Sequence, residues 1–218
     1  NIPDKTTMTP NGALFRTDKK GFLPTMMEEL YNERVTYKKK MLSAQQEFEN
    51  TKDNKYKKLI SRYNNIQMAR KISLNSAYGA IGNQYFRYYD KAIAEGITKS
   101  GQLSIRWIEN RLNKYLNNIL KTDEDYVIAS DTDSVYLTLD KLVTETIKSD
   151  NALSKTINFL DKVASESIEP YITKSYDELK QYTNAFANKM FMKREVIADK
   201  GIWVAKKRYI LNVWNSEG

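Results

Sequence analysis

Asp125-Tyr126-Val127-Ile128-Ala129-Ser130-Asp131-Thr132-Asp133-Ser134-Val135-Tyr136-Leu137-Thr138-Leu139 is where the hydrophobic period of this chain changes. β-Branched and aromatic residues fill two short runs on either side of Asp131-Thr132-Asp133, a pattern that reads as a β-hairpin. Before it, from about Lys91 to Leu120, the spacing is helical. Ile93, Ile97, Leu103, Ile105, Trp107, Ile108, Leu112, Leu116 and Ile119 form a broad stripe suited to packing on a sheet. After it, residues 152–183 read as helical around Leu153, Ile157, Leu160, Val163, Ile168, Ile172, Tyr176 and Leu179, with a break at Pro170. The pattern then returns to strands over 190–198 and 202–214, with Asp199-Lys200-Gly201 as the turn. There is no internal repeat and no linker, so the expected class is α+β, an antiparallel sheet with packed helices.

Toward the N-terminus the spacing predicts two further helices. One runs over 24–51 on Met27, Leu30, Tyr31, Val35, Leu42 and Phe48, with Pro24 in its first turn and Glu28 and Glu29 near its positive end. The second runs over 54–78 on Tyr56, Leu59, Ile60, Tyr63, Ile66 and Met68, and Gly79-Ala80-Ile81-Gly82-Asn83 ends it. The short break at 50–54 implies an antiparallel helical hairpin projecting from the domain. Residues 1–23 read as an extended arm or small hairpin, with turn chemistry at Pro10-Asn11-Gly12 and Asp18-Lys19-Lys20-Gly21.

The charge lies on that hairpin. The whole chain of 218 residues carries +8, and between Arg34 and Lys71 there are eleven basic residues against Glu47, Glu49 and Asp53, which already accounts for +8. With a pI near 9.3, the balance favours polyanionic partners, nucleic acid or acidic membranes. The chain has no Cys and no His, which excludes disulfide scaffolds, Cys/His zinc sites and imidazole acid–base chemistry, so any metal must sit on oxygen ligands. No apolar run is long enough to span a bilayer and the start is not a signal peptide, so the expected location is intracellular, with no membrane partner.

Three groups of residues could carry chemistry. Asp131 and Asp133, two apart, would point to one side of a strand and could share a hard cation at about 2.0–2.1 Å; the competing reading is that aspartates simply favour turns. Arg34 and Lys38 share a face of the first long helix, and Lys71, Asn75 and Tyr78 share a face of the second. Brought together they would receive a triphosphate and its base; the competing reading is a solvated basic face. Lys206-Lys207-Arg208-Tyr209 lies in an apolar strand pattern, where consecutive side chains alternate faces, and an edge-strand solubility device competes there.

Taken together these strings resemble the family B DNA polymerases, most closely the replicative polymerases of T4-like phages. Lys71-Ile72-Ser73-Leu74-Asn75-Ser76-Ala77-Tyr78-Gly79 fits the fingers motif KxxxNSxYG. Ser130-Asp131-Thr132-Asp133-Ser134 fits the palm motif usually read YGDTDS, with Ala129-Ser130 in place of Tyr-Gly. Lys206-Lys207-Arg208-Tyr209 is like the KKxY motif, and Gly82-Asn83-Gln84-Tyr85-Phe86-Arg87-Tyr88-Tyr89-Asp90 is similar to the phage-type GNxxFRYYD string. The resemblance runs from about residue 8 to the end.

It implies a palm carrying a two-helix fingers hairpin, with residues 1–23 an arm joining the palm, 24–79 the fingers and 80–218 the palm. It implies transfer of deoxynucleotides from dNTP to a primer 3′-hydroxyl on primer-template DNA, by a mechanism with two Mg²⁺ ions about 3.5–4 Å apart. Asp133 would be the principal metal ligand, Asp131 a weaker or outer-shell partner and Glu195 an additional palm carboxylate. Lys193 stands where relatives carry an acid. Arg34, Lys38 and Lys71 would hold the β- and γ-phosphates, Lys71 would also be a proton donor to pyrophosphate, and Asn75 and Tyr78 would line the nascent base pair. Lys206, Lys207, Arg208 and Tyr209 would contact DNA, with Lys207 steadying the primer end. The motif usually read DxxSLYPS is absent, so the chain reads as a fragment that works with the rest of a polymerase: exonuclease domain, first palm motif and thumb. A fragment of this kind is expected to be inactive alone, and the host cytoplasm is the expected location if the source is viral. A noncatalytic nucleic-acid-binding module is the rival reading.

Overall fold

The computed structural model describes residues 2–147 and 153–216, and the chain divides into two units, one of Phe15–Ile97 and one of Asn1–Leu14 with Thr98–Gly218. In the first unit, α1 (Phe22–Thr51) and α2 (Asn54–Ile81) form the hairpin. α1 begins at Phe22, two residues before Pro24, which stays in the first turn where a missing N–H costs nothing. Glu28 and Glu29 therefore fall beyond the first turn, and Glu28 pairs with Lys20. At the tip, Lys52 adopts φ +54° and donates its N–H to the Phe48 carbonyl at 2.7 Å, while the Asp53 side chain accepts from the Lys55 N–H at 2.9 Å and caps α2. α2 continues through Gly79 to Ile81, beyond the predicted end.

The faces of these helices differ from the sequence expectation. On α1 the buried or half-buried row is Leu23, Met27, Leu30, Arg34, Tyr37, Met41, Ala44 and Phe48, spaced alternately by four and three. On α2 it is Tyr56, Ile60, Tyr63, Gln67, Arg70, Leu74, Ala77 and Ile81, with the same spacing. Tyr31 and Leu42, predicted to face inward, are 43% and 49% exposed. A two-helix seam repeats every 3.5 residues and is narrower than the stripe of a helix in a globular core, so it leaves flanking apolar residues in water. It also accepts Arg and Gln, whose stems pack while their heads reach the rim.

The second unit starts with the arm, which it holds as far as Leu14. β1 (Thr6–Met8) lies in it and is followed by a connection where the Thr9 N–H donates to the Ala13 carbonyl at 3.0 Å; β2 (Leu14–Arg16), the partner of β1 in a two-stranded sheet, begins with the last arm residue of this unit. Next comes α3 (Lys91–Leu120), whose residues from Thr98 onward belong to this unit, then the hairpin β3 (Val127–Asp131) and β4 (Ser134–Leu137). α4 (Asp140–Thr146) and α5 (Leu153–Val163) follow, with the predicted start at residue 152 lying outside the described residues. A π-turn at Ala164–Ile168 joins α5 to α6 (Glu169–Thr183). The break anticipated at Pro170 is this π-turn; Pro170 itself sits harmlessly in the first turn of α6. β1 is tied to the end of α6 by Thr7 Oγ1 donating to the Thr183 carbonyl and Asn184 Nδ2 to the Thr6 carbonyl, each at 2.7 Å.

The core of this unit is Ile108 and Leu112 from α3, Val127 from β3, and Ile168, Ile172, Tyr176 and Leu179 from the π-turn and α6. The chain ends in a long hairpin of β5 (Val196–Ala205) and β6 (Arg208–Ser216). Here the strand expectation is corrected. Asp199-Lys200-Gly201 is not a turn but lies inside β5, with Lys200 opposite Asn212 and Gly201 opposite Leu211. A Cβ on Gly201 would come within 2.7 Å of Leu211 and Trp203, so the glycine is needed for close side-chain cover rather than for a bend. Ala205 faces Arg208, which makes Lys206-Lys207 the turn, with Lys207 at φ +61°.

Candidate functional site

The Asp131-Thr132-Asp133 segment is a tight connection, with Asp131 opposite Ser134. Thr132 adopts φ +52°, and the Asp133 N–H donates to the Asp131 carbonyl, the pattern of a γ-turn. A β-branched residue in this conformation stores strain of order 1–3 kcal/mol. The two aspartates are therefore set by a turn and not by strand alternation. Asp131, half-buried, accepts from Thr132 Oγ1 at 2.9 Å and has Lys207 Nζ 3.9 Å from its Oδ1. Asp133 is exposed, and its carboxylate makes no ion pair or side-chain hydrogen bond among the described residues. It is the more available of the two for a hard cation, and a pair of acids with oxygen donors suits Mg²⁺. Glu195 is exposed just before β5, and among the described residues no three acids stand close enough together to hold a metal, so Glu195 is not gathered with the aspartates.

The turn of the last hairpin meets this segment. Tyr136 of β4 makes edge-on contacts with Trp203 and Tyr209, ring centroids 5.3 and 5.4 Å apart, and Trp203 and Tyr209 lie 6.3 Å apart. Burial, with the Tyr209 hydroxyl beside it, pushes the Tyr136 phenol up. Tyr176 of α6 is pushed up to about 12 by burial and then by the charge of Asp133. Two sequence-predicted groups are thus brought together, Asp131 with Asp133 and Lys207 with Tyr209. Lys206, in the turn, and Arg208, opposite Ala205, are both exposed.

The support beneath the turn was not anticipated. Asn113 and Asn117, one turn apart on α3, hold the loop that leads into β3. Asn113 Oδ1 accepts from the N–H groups of Tyr126 and Val127 at 2.9 and 3.0 Å, and its Nδ2 donates to Asp125 at 3.1 Å. Asn117 accepts from the Glu124 N–H and Thr122 Oγ1, each at 2.9 Å, and donates to the Glu124 carbonyl at 2.8 Å. Arg194 ties α5 to β6, pairing with Asp161 and donating to Asn215, each at 2.7 Å. An asparagine pair four apart on an otherwise amphipathic helix was the sequence signal for the first of these.

On the helical hairpin, Glu33 of α1 pairs with Arg70 of α2, and the Tyr37 and Tyr63 rings lie 6.1 Å apart. This antiparallel register puts Arg34 and Arg70 in one layer of the seam. Residues one past the seam on either antiparallel helix lie on the same broad face, and Lys38, Lys71 and Tyr78 are such residues, with Asn75 beside them. All four are exposed on that face, whereas Arg34 is half-buried in the seam, its Nε buried with no partner among the described residues. At about 1.5 Å per residue, Lys71 is within about 2 Å of the Arg34 level, Lys38 about 6 Å toward the tip, and Asn75 and Tyr78 about 8 and 12 Å toward the base. Helical periodicity thus puts Lys38, Lys71, Asn75 and Tyr78 toward one face of this unit, with Arg34 rooted in the seam.

The sequence pattern of DNA polymerase family B matches residues 3–218. The chain belongs to this family. It is 35% identical to the DNA-directed DNA polymerase of Escherichia phage RB69 over 99% of its length, and 33% identical to that of Enterobacteria phage T4 over 98%. It spans 30% of the length of each. The DNA polymerase beta of African swine fever virus is 29% identical over 69% of the chain and 12% of that protein. The Asp131-Thr132-Asp133 turn and the Lys206-Lys207 turn, read from the sequence as motif-like strings, stand side by side in one unit, and Lys71, Asn75 and Tyr78 lie on the other. No helix among the described residues is long and apolar enough to cross a membrane.

Proposed function

We propose that this chain is the palm and fingers portion of a longer template-directed DNA polymerase, with residues 24–79 as fingers, 80–218 as palm and 1–23 an arm joining the palm. The observation that carries the reading is the meeting of Asp131 and Lys207, 3.9 Å apart, in a family B chain whose other motif lies on a basic helical face. The reaction is attack of a primer 3′-hydroxyl on the α-phosphate of a deoxynucleoside triphosphate, releasing pyrophosphate. Asp133, with Asp131 behind it, would hold Mg²⁺, two ions per complete site with carboxylates from the rest of the polymerase chain, whose chemistry is to acidify the attacking hydroxyl and neutralise the leaving group; Glu195, which stands apart from the aspartates, is not assigned to the metal.

The remaining work is positioning and charge. Arg34, Lys38 and Lys71 would neutralise the β- and γ-phosphates, and Lys71 would give a proton to departing pyrophosphate. Asn75 and Tyr78 wall the nascent base pair. Lys207 steadies the primer end, with Lys206, Arg208 and Tyr209 on the same duplex. Primer-template DNA, dNTP and the remainder of the polymerase chain are the partners, and the site of action is inside the cell, the host cytoplasm for a viral enzyme.

Single-turnover incorporation of matched and mismatched nucleotides tests the assignment. Lys71→Ala should slow incorporation for every base alike. Tyr78→Ala should cost matched pairs little and admit mismatches more readily. Wild-type rates and equal discrimination in both variants would favour a noncatalytic nucleic-acid-binding module instead.

A further inference from the structure

The seam of the helical hairpin holds a layer that a packing argument alone does not explain. Arg34 and Arg70 lie level, both half-buried, and like charges in one partly desolvated layer repel. Their positions in the repeat differ. Arg34 leans toward the face of Lys38, Lys71 and Tyr78. Arg70 leans toward the opposite face, where Glu33 lies and pairs with its Nε. Both partners of that pair are 38% or more exposed, so the pair itself contributes little to folding.

We infer that Glu33 is a positioning residue: by drawing Arg70 to the back of the hairpin and cancelling its charge, it leaves the Arg34 guanidinium directed to the front, beside Lys71, as an anion receptor. The inference rests on the proposed role of Arg34 in binding the nucleotide phosphates. Without the Glu33 carboxylate, Arg70 becomes a second uncompensated cation in the layer, and Arg34 must shift to relieve the repulsion. Arg70 is thus a liability that Glu33 contains, not a binding group in its own right.

This arrangement makes an asymmetric prediction for the polymerase that carries this chain. Glu33→Gln should raise the KM for dNTP about three- to tenfold, the range expected for one unscreened like-charge contact near a surface, with kcat within about twofold. Arg70→Met should leave KM within about twofold of wild type, and the Glu33→Gln/Arg70→Met double variant should return to that level. Glu33→Asp should recover most of the affinity that Glu33→Gln forfeits. Melting temperatures of all four variants, measured alongside, should stay close to wild type. If Glu33→Gln, Arg70→Met and the double variant were all equally impaired, the pair would be a simple brace and the inference overturned. A wild-type KM in Glu33→Gln would overturn it too. Arg34→Ala separates the two levels of argument. A raised KM there with an unaffected Glu33→Gln refutes only the positioning role, whereas a wild-type KM in Arg34→Ala refutes the nucleotide-binding reading beneath it.

Discussion

Replacing Asn113 with Ala removes one side-chain oxygen that serves two backbone donors. The N–H groups of Tyr126 and Val127 both donate to it, at 2.9 and 3.0 Å, and these residues are only 2% and 9% exposed. Alanine offers no acceptor, so both donors stand to lose their partner away from water. A buried unsatisfied donor costs about 1–3 kcal/mol, so the pair costs about 2–6 kcal/mol. For a chain of this size each kcal/mol moves the melting temperature by about 2–4 °C, giving a drop of about 4–24 °C. The hydrogen bond from Asn113 to the Asp125 carboxylate adds little to this, because it is exposed to water. Thermal denaturation followed by circular dichroism at neutral pH measures the drop directly. Asn113→Asp, which keeps an acceptor but faces the Asp125 carboxylate, should fall between alanine and wild type. A melting temperature for Asn113→Ala within about 1 °C of wild type would refute the claim that this amide holds the start of β3, and with it the support of the Asp131–Asp133 turn.

Alkaline stability should report the environment of Tyr176. Its pKa rises from 10.0 to about 12, so between those pH values the unfolded chain releases a proton that the folded chain retains, and stability falls as pH rises through that window. Tyr176→Phe lacks this loss, so the difference in stability between wild type and variant should be constant below pH 10 and shift against wild type from pH 10 to 12 in denaturant titrations. A constant difference up to pH 12 would contradict the burial of that hydroxyl near Asp133. DNA binding by this chain should weaken steeply with salt, because the +8 between Arg34 and Lys71 acts through counterion release. A flat plot of log affinity against log salt would rule out a phosphate-contacting surface.

The parts of the fold legible in the sequence were those where period and turn chemistry agreed. The span of α3, the helical hairpin and the β-hairpin around Asp131-Thr132-Asp133 all follow from spacing alone. What the spacing did not reveal has physical causes. The seam of α1 and α2 runs through Arg34, Gln67 and Arg70, which a hydrophobic count passes over because only their stems are packed. The last hairpin turns at Lys206-Lys207 because Gly201, the residue most suggestive of a turn, is covered by Leu211 and Trp203, a long-range contact that no local pattern encodes. The Asp131–Asp133 pair was legible as residue types, but the γ-turn at Thr132 that presents it was not, since β-branched residues are rare at positive φ. Lys207 and Tyr209 were legible as a motif, yet their contact with Asp131 and Tyr136 joins elements some seventy residues apart in the chain.

Turnover of the Asp133→Asn variant of the proposed polymerase, with duplex binding measured in parallel, tests the proposed role of Asp133 as a metal-holding carboxylate most directly. Asn keeps the size and the turn but removes one charge from a site for a hard divalent cation. The expected result is a fall in turnover of several orders of magnitude with duplex affinity nearly unchanged, since the duplex contacts belong to other residues. A fall of less than about tenfold, which corresponds to about 1.4 kcal/mol of barrier, would contradict the assignment.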